Sequence, residues 1–364
     1  MTNQSMNVIM PPEWYGQANF PNVWDEMEWL KELPATTYYA LYLKGFFNKN
    51  LQPGHPLYVV AFLDEPFDPD WLLAQCENIK EPIIVLNDGS IYDFPFPSNV
   101  FFYQFHSWHY QMDRIMSWFP HHVARNIKYK ASAICNRVTQ SKLLVFSAIV
   151  KSMNRSECLL KLSDWIEEKN VHDRTPTGVP QLDELADYFF NNWHGKLIVA
   201  DEFDNVRDNK QDINSNPWQS FYINAAMHFT NESYHYSRMT HTDGRQYTRP
   251  GPCLSEKTYK CLLSGTPFIS VAQFDVYRSF EELGCKFDYG SIDLSWDQDP
   301  GNLTRLCSMI NLINELANMP VEEIAKVTAE STSHNFDHIW SGDFKKICST
   351  RNNATVEKIL AKFS

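Results

Sequence analysis

LSEKTYKCLLSGTPFISV, Leu254 to Val271, is one helix–turn–strand unit. Ser255 suits an N-cap, because its hydroxyl can accept an orphan amide bond from the first helical turn. Glu256 falls in that turn, where the helix dipole favours an acid. The helix is expected to run to about Leu263 and to close on Ser264-Gly265, since glycine takes the left-handed conformation cheaply. Phe268 to Val271 then reads as a buried parallel strand. A helix start with open amides beside Lys257 suits an anion.

The same grammar extends on both sides. In the N-terminal direction, Ile223 to Phe229 reads as a strand ending at Asn231-Glu232-Ser233. Lys196 to Asp201 reads as another strand, preceded by an amphipathic helix, Leu182 to Trp193. Leu159 to Glu168 reads as a short helical piece. Lys128 to Asn136 is a strand, followed by a helix at Gln140 to Lys151 that Thr139 can cap. In the C-terminal direction, Phe274 to Leu283 is a helix closed by Gly284, and Lys286-Phe287 a short strand. Helices are expected at Leu303 to Ala317, Val321 to Thr328 and Val356 to Phe363.

The first third repeats the alternation. Strands are expected at Thr36 to Leu43, Leu57 to Leu63, Pro82 to Asn87 and Asn99 to Phe105, and helices at Asp68 to Lys80 and Trp108 to Trp118. A short helix is expected at Trp24 to Glu32. Strands alternating with helices imply parallel βαβ units and an α/β fold. Pro120-His121-His122 breaks the pattern, which places a domain boundary near residue 125. The 364 residues suit two domains rather than one core.

Charge narrows the function. The net charge of −12 argues against generic nucleic-acid binding. Its distribution is uneven, however. From Ile115 to Ser156 there is no Asp or Glu, while Arg125, Lys128, Lys130, Arg137, Lys142, Lys151 and Arg155 lie there. Arg238 to Arg249 holds three arginines and one acid, Asp243. Segregated basic segments in an acidic chain point to a phosphate-bearing ligand. The chain lacks GxGxxG and GxxxxGK[ST], which disfavours nicotinamide-dinucleotide and P-loop chemistry. No apolar run reaches the length of a membrane span, and the first residues lack the pattern of a signal peptide, so a cytoplasmic protein is expected. The eight cysteines are scattered without CxxC and read as reduced thiols.

Three segments fall at the carboxyl ends of strands in the second half, where open α/β sheets bind ligands. They are Cys135 to Lys142, Phe229 to Ser233 and Ser255 to Thr258. Arg137 and Lys142 could reach a diphosphate. A carboxylate there suits ribose hydroxyls, and a lysine suits a phosphate oxygen.

The order of a strand–Asn-Arg…Lys–helix unit, FTNES, SEKTYKCLLSGTPFISV and ELGCKFDYGSID resembles the donor half of a GT-B glycosyltransferase. It is most similar to fucosyltransferase-like proteins and to bacteriophage and large-virus proteins with an EKT…PFI block. The resemblance covers roughly residues 128 to 310. It implies two Rossmann-like domains facing a cleft. An acceptor-side domain would span 1–125, joined by a C-terminal helix at 345–364, and a nucleotide-sugar domain would span 126–344. It implies Glu256 on the ribose, Lys257 on the phosphates, Glu232 lining the donor site, and Lys142 or Arg137 clamping the diphosphate. Ser255 and Thr258 complete that set. Lys142 stands where the family pattern leads one to expect arginine.

In such a layout the base comes from the first domain, with Asp64, Glu65 and His106 as candidates at strand ends. The resemblance implies a metal-independent transferase using a UDP- or GDP-sugar and no further cofactor. Asp201-Glu202-Phe203-Asp204 reads as an acidic loop, and His106/His109 and His334/His338 as packing or surface residues rather than metal ligands. The viral flavour of the EKT block and the basic segments favour a hydroxymethylated pyrimidine in phage DNA as acceptor, which would place the protein in a host cytoplasm. A glycan or protein acceptor, or a non-catalytic binding module, are the alternatives.

Overall fold

The computed structural model describes residues 8–9, 27–41, 50–62, 69–89, 96–106, 116, 125–135, 139–162, 176–193, 221–232, 238–240, 246–248, 251–252, 254 and 256–364. The protein is α/β, with two parallel sheets. The chain divides into two units: unit 1 is Met1–Arg114, Ser237–Cys253 and Lys345–Ser364, and unit 2 is Ile115–Tyr236 and Leu254–Phe344. A single cut near residue 125 does not anticipate that 237–253 belong with unit 1.

In unit 1, five strands pair in parallel in sequential order. They are β1 (Val8–Ile9), β2 (Tyr38–Leu41), β3 (Tyr58–Phe62), β4 (Ile83–Asn87) and β5 (Val100–Gln104). Every residue of β3 and β4 is buried, which explains their unbroken apolar runs. Side chains alternate between two faces. Tyr58, Val60, Phe62, Ile83 and Val85 pack with Leu72 and Ile79, contributed by helix α1 (Pro69–Asn78) and the turn after it. Val59, Ala61, Ile84 and Leu86 pack on the opposite side with Leu30 and Ile359. Leu30 sits in a 3-10 turn, Glu28–Glu32, in the region expected to be a short helix. A sheet wound steadily in one direction sends its right-handed crossovers to one face. The other face therefore needs a cover from elsewhere in the chain, and the C-terminal helix supplies it.

In unit 2 the strands are β6 (Tyr129–Cys135), β7 (Cys158–Leu162), β8 (Ala225–Asn231) and β11 (Phe268–Val271), in the spatial order β11-β8-β6-β7. All pairs are parallel. Between β8 and β11 the chain forms an antiparallel ribbon, β9 (Arg238–Thr240) with β10 (Gln246–Thr248), which belongs to unit 1. The helices of unit 2 are α2 (Gln140–Ser152), α3 (Pro180–Trp193), α4 (Glu256–Leu263), α5 (Val276–Glu281), α6 (Asn302–Asn318) and α7 (Val321–Trp340), while the last helix, α8 (Asp343–Phe363), lies in unit 1 from Lys345 on. Helix α2 packs on α3 and α6, whereas α7 packs on α4 and β8.

Helix α4, the turn that closes it and strand β11 form as their sequence directs. Gly265 has φ +60°. Its amide bonds the Leu262 carbonyl, and the Thr266 amide bonds the Cys261 carbonyl, at 3.2 and 2.9 Å. This is a Schellman closure. The Trp340 indole satisfies the Leu263 carbonyl at 3.0 Å. Phe268–Val271 is fully buried beside β8.

Four expectations are corrected. Residues 158–162 are strand rather than helix: a short apolar run fits either, and pairing with β6 decides it. Lys286-Phe287 is not a strand. The Lys286 amide and carbonyl instead bond the Asn335 side chain, both at 2.7 Å. Helix α7 runs well beyond Thr328, and α8 starts well before Val356. Trp108–Trp118 and Lys196–Asp201 lie outside the described residues, save Met116.

Candidate functional site

The strand order of unit 2 contains a reversal. From β6 the chain moves outward through α2 to β7, then returns to β8 on the other side of β6 and continues through α4 to β11. Right-handed crossovers in opposite directions place α2 and α4 on opposite faces. The carboxyl ends of β6 and β8 therefore flank a topological switch point, the place where open α/β sheets form a ligand crevice. The sheet of unit 1 is wound one way in its described strands and has no such point.

At the end of β8, Asn231 and Glu232 are both buried. The Asn231 amide nitrogen donates to the Ile134 carbonyl at 3.1 Å and to the Phe229 carbonyl at 3.3 Å, tying β8 to β6. Glu232 reaches into the first turn of α4. Its Oε1 accepts the Thr258 hydroxyl at 2.6 Å and the Thr258 amide at 3.3 Å. A carboxylate accepting an amide at a helix start is favoured by hydrogen bonding and by the dipole. Thr258 is fully buried, and Lys257 beside it is half-buried.

The two helix starts consequently differ in charge. The first turn of α4 holds the Glu232 carboxylate, and Glu256 is its first residue. The first turn of α2 contains no acid. Its N-cap, Thr139, makes no side-chain capping bond, and Lys142 is buried in that turn. Of the two, the α2 start is the more favourable to a dianion and the α4 start the more favourable to hydroxyl groups.

Several cations of the acid-free block are engaged within unit 2. Arg125 donates to the Ala225 carbonyl at 2.5 Å, and burial lowers it to about 10. Lys130 is buried and donates to the Ala317 carbonyl in the last turn of α6 at 2.7 Å, with Glu157 3.7 Å away. Lys151 pairs with Glu184 of α3. These three hold the sheet and helices together.

A buried polar cluster that the sequence reading missed lies beyond β11. Asp297 is buried, and its Oδ2 accepts the Tyr277 amide of α5 at 3.0 Å. The Asp275 amide bonds the Asp297 carbonyl at 2.8 Å, and Asp275 itself has φ +68°. Arg305 is fully buried and donates to the carbonyls of Asp299 at 2.7 Å and Ala272 at 3.3 Å. Burial raises Asp297 to about 7. The cluster fixes the turn between β11 and α5. Its only sequence signal is charged residues spaced through an otherwise apolar segment.

In unit 1, His106 follows β5 and is buried. Its amide and carbonyl bond the side chain of Asn352 from α8, at 2.8 and 2.9 Å. Asp64, Glu65, Arg137 and Ser255 lie outside the described residues, as does Asp201-Glu202-Phe203-Asp204. His334 and His338 each place Nε2 on a backbone carbonyl, those of Gly284 and Leu283, at 2.9 and 2.8 Å. Among the described residues no group of three or more metal-ligating side chains forms, and no helix is long and apolar enough to cross a membrane. Cys76, Cys135, Cys158, Cys261, Cys285, Cys307 and Cys348 are free thiols.

No protein-family model, no curated protein and no solved structure matches the chain.

Proposed function

We propose that the protein is a GT-B glycosyltransferase that moves a sugar from a nucleotide-diphosphate-sugar to an acceptor hydroxyl, with 5-hydroxymethylcytosine-type bases of phage DNA as the favoured acceptor. The observation that carries this reading is the switch point of unit 2 with its two unlike helix starts. In the proposed arrangement the diphosphate lies against the start of α2, near Lys142 and Arg137. The ribose lies toward the start of α4, near Glu256. Lys257 adds positive charge as the leaving diphosphate departs. Glu232 keeps Thr258 and the first turn of α4 in place. The acceptor base would leave the stack to be reached. Asp64, Glu65 or His106 would take the acceptor proton.

The test is incubation with a panel of UDP- and GDP-sugars and DNA containing hydroxymethylcytosine, read by mass spectrometry of the nucleosides. A hexose or pentose mass increment on the modified base is expected. No increment with any donor removes the DNA acceptor. Failure to bind every nucleotide-sugar removes the transferase.

A further inference from the structure

Helix α8 carries a basic surface in an acidic chain. Residues 345–364 hold five Lys or Arg and one acid, Glu357, against a net charge of −12 for the whole. All five cations, Lys345, Lys346, Arg351, Lys358 and Lys362, are exposed. The opposite side of the helix is seated on the sheet of unit 1. The Asn352 side chain bonds the backbone of His106 at 2.8 and 2.9 Å, and Thr355 Oγ1 donates to the Gln104 carbonyl at 3.2 Å. The rings of Phe363 and Phe101 meet with centroids 5.0 Å apart. The helix therefore runs antiparallel to β5. Val356, Ile359, Leu360 and Phe363 go into the core beneath it.

Three of the cations are aligned. Arg351, Lys358 and Lys362 are spaced by seven and then four positions, which sets them on one stripe of the helix. The stripe is about 16 Å long at ~1.5 Å of rise per residue. Lys362 is steered by the sheet, its Nζ lying 3.8 Å from the centre of the Phe101 ring. The other exposed residues between Arg351 and Lys362 are Asn353, Ala354, Glu357 and Ala361, all polar or small.

We propose that the outer face of α8 holds the phosphate backbone of a duplex DNA acceptor, a role that rests on the glycosyltransferase reading above. Over the length of the stripe a duplex presents roughly ten charges, at about one per 1.7 Å of its axis. Lysine and arginine on a helix face that reach phosphate oxygens position the duplex without selecting its sequence. An anionic membrane fits less well. A helix lying in a lipid interface buries its apolar face there, and that face of α8 is already packed on the sheet.

The test measures full-length protein against a fluorescein-labelled duplex by anisotropy over a salt series. Wild type is expected to bind with an affinity that falls steeply as salt rises. Arg351→Gln, Lys358→Gln and Lys362→Gln are each expected to weaken binding several-fold and to lower the log–log salt slope by about 0.9, and the triple variant by about 2.7. Lys358→Arg keeps the wild-type slope. So does Lys326→Gln, which removes an exposed lysine of α7 in unit 2. An unchanged slope in the triple variant overturns the role of α8, and so does an equal loss in Lys326→Gln. Binding to phosphatidylserine vesicles with the duplex ignored also overturns it. Calorimetry with UDP- and GDP-sugars keeps the two readings apart. If the triple variant holds its slope while wild type transfers sugar to hydroxymethylcytosine DNA, the α8 contact falls and the transferase stands. If the α8 variants lose the duplex while wild type binds no nucleotide-sugar, the transferase falls and the α8 contact stands.

Discussion

Thr258 donates its hydroxyl to Glu232 at 2.6 Å, so a side chain in the first turn of α4 is fastened to the end of β8. Both residues are buried, so the bond is made out of water. Thr258→Val keeps the shape and removes the donor. The variant is expected to lose about 1.5–3 kcal/mol of stability, the usual range for a bond to a charged group. Urea unfolding followed by tryptophan fluorescence checks this, and an unchanged midpoint would show that the bond contributes nothing.

Asp297 titrates at about 7 because burial disfavours its charged form. Its folded value lies above the unfolded one, near 3.9. The folded state therefore holds more protons between these values, and stability falls as pH rises from about 4 to 7. Asp297→Asn removes that dependence. The difference in stability between wild type and variant should shift toward the variant across this window. A pH-independent difference would mean that Asp297 stays ionised in the fold.

Asn352 completes the backbone bonding of His106, and Asn335 does the same for Lys286. Each asparagine replaces a strand neighbour with one side-chain amide. Asn352→Leu leaves a buried amide and carbonyl of unit 1 without these partners and is expected to cost about 2–4 kcal/mol. Hydrogen exchange should quicken at the His106 amide and not at Lys286. The reverse is expected for Asn335→Leu.

Lys142 in the first turn of α2 and Lys257 in that of α4 are set against different local charge. If the diphosphate sits at α2, Lys142→Ala weakens nucleotide-sugar binding by roughly tenfold, on the order of 1.4 kcal/mol, and Lys257→Ala weakens it less. Lys142→Arg should retain or improve binding through its forked geometry. Calorimetric titration with UDP- and GDP-sugars decides. Equal losses, or a larger loss at Lys257, would move the diphosphate to α4.

Ile359 of α8 is fully buried on the face of the unit 1 sheet away from α1. Ile359→Ala is expected to cost about 2–5 kcal/mol, the range for a large-to-small change in a core. The loss should appear as a lower unfolding midpoint.

Much of the scaffold is legible in the sequence because burial on both faces writes a plain signal. The strands β3, β4 and β11 are almost wholly apolar or small-residue runs bounded by turns. Gly265 and Gly284 mark helix ends, and both have positive φ. The misjudged bounds of the last two helices share a cause. Helix α7 buries Thr328, Ser331, Thr332 and Asn335, and α8 buries Asn352. Those polar residues are buried because they bond carbonyls and amides of the backbone, and an apolar periodicity does not reveal that. At the site, Glu232 is legible as a strand-end carboxylate. Its bond to Thr258 is not, since 26 positions separate them. The Asp297 cluster was hidden for the same reason: its partners, Tyr277 and Arg305, gather only once α5 and α6 have packed.

The cover that α8 gives to the unit 1 sheet has a consequence for synthesis. Strands β2 to β5 leave the ribosome long before Ile359 does, and all of unit 2 is made in the interval. Until then Val59, Ala61, Ile84 and Leu86 lack the helix that shields them. Unit 2, complete at Phe344, can fold during translation, whereas unit 1 must wait for its final segment. The first half of the protein to be made is the last to be finished, and nascent chains stalled before residue 345 should depend on chaperones through an exposed apolar sheet face.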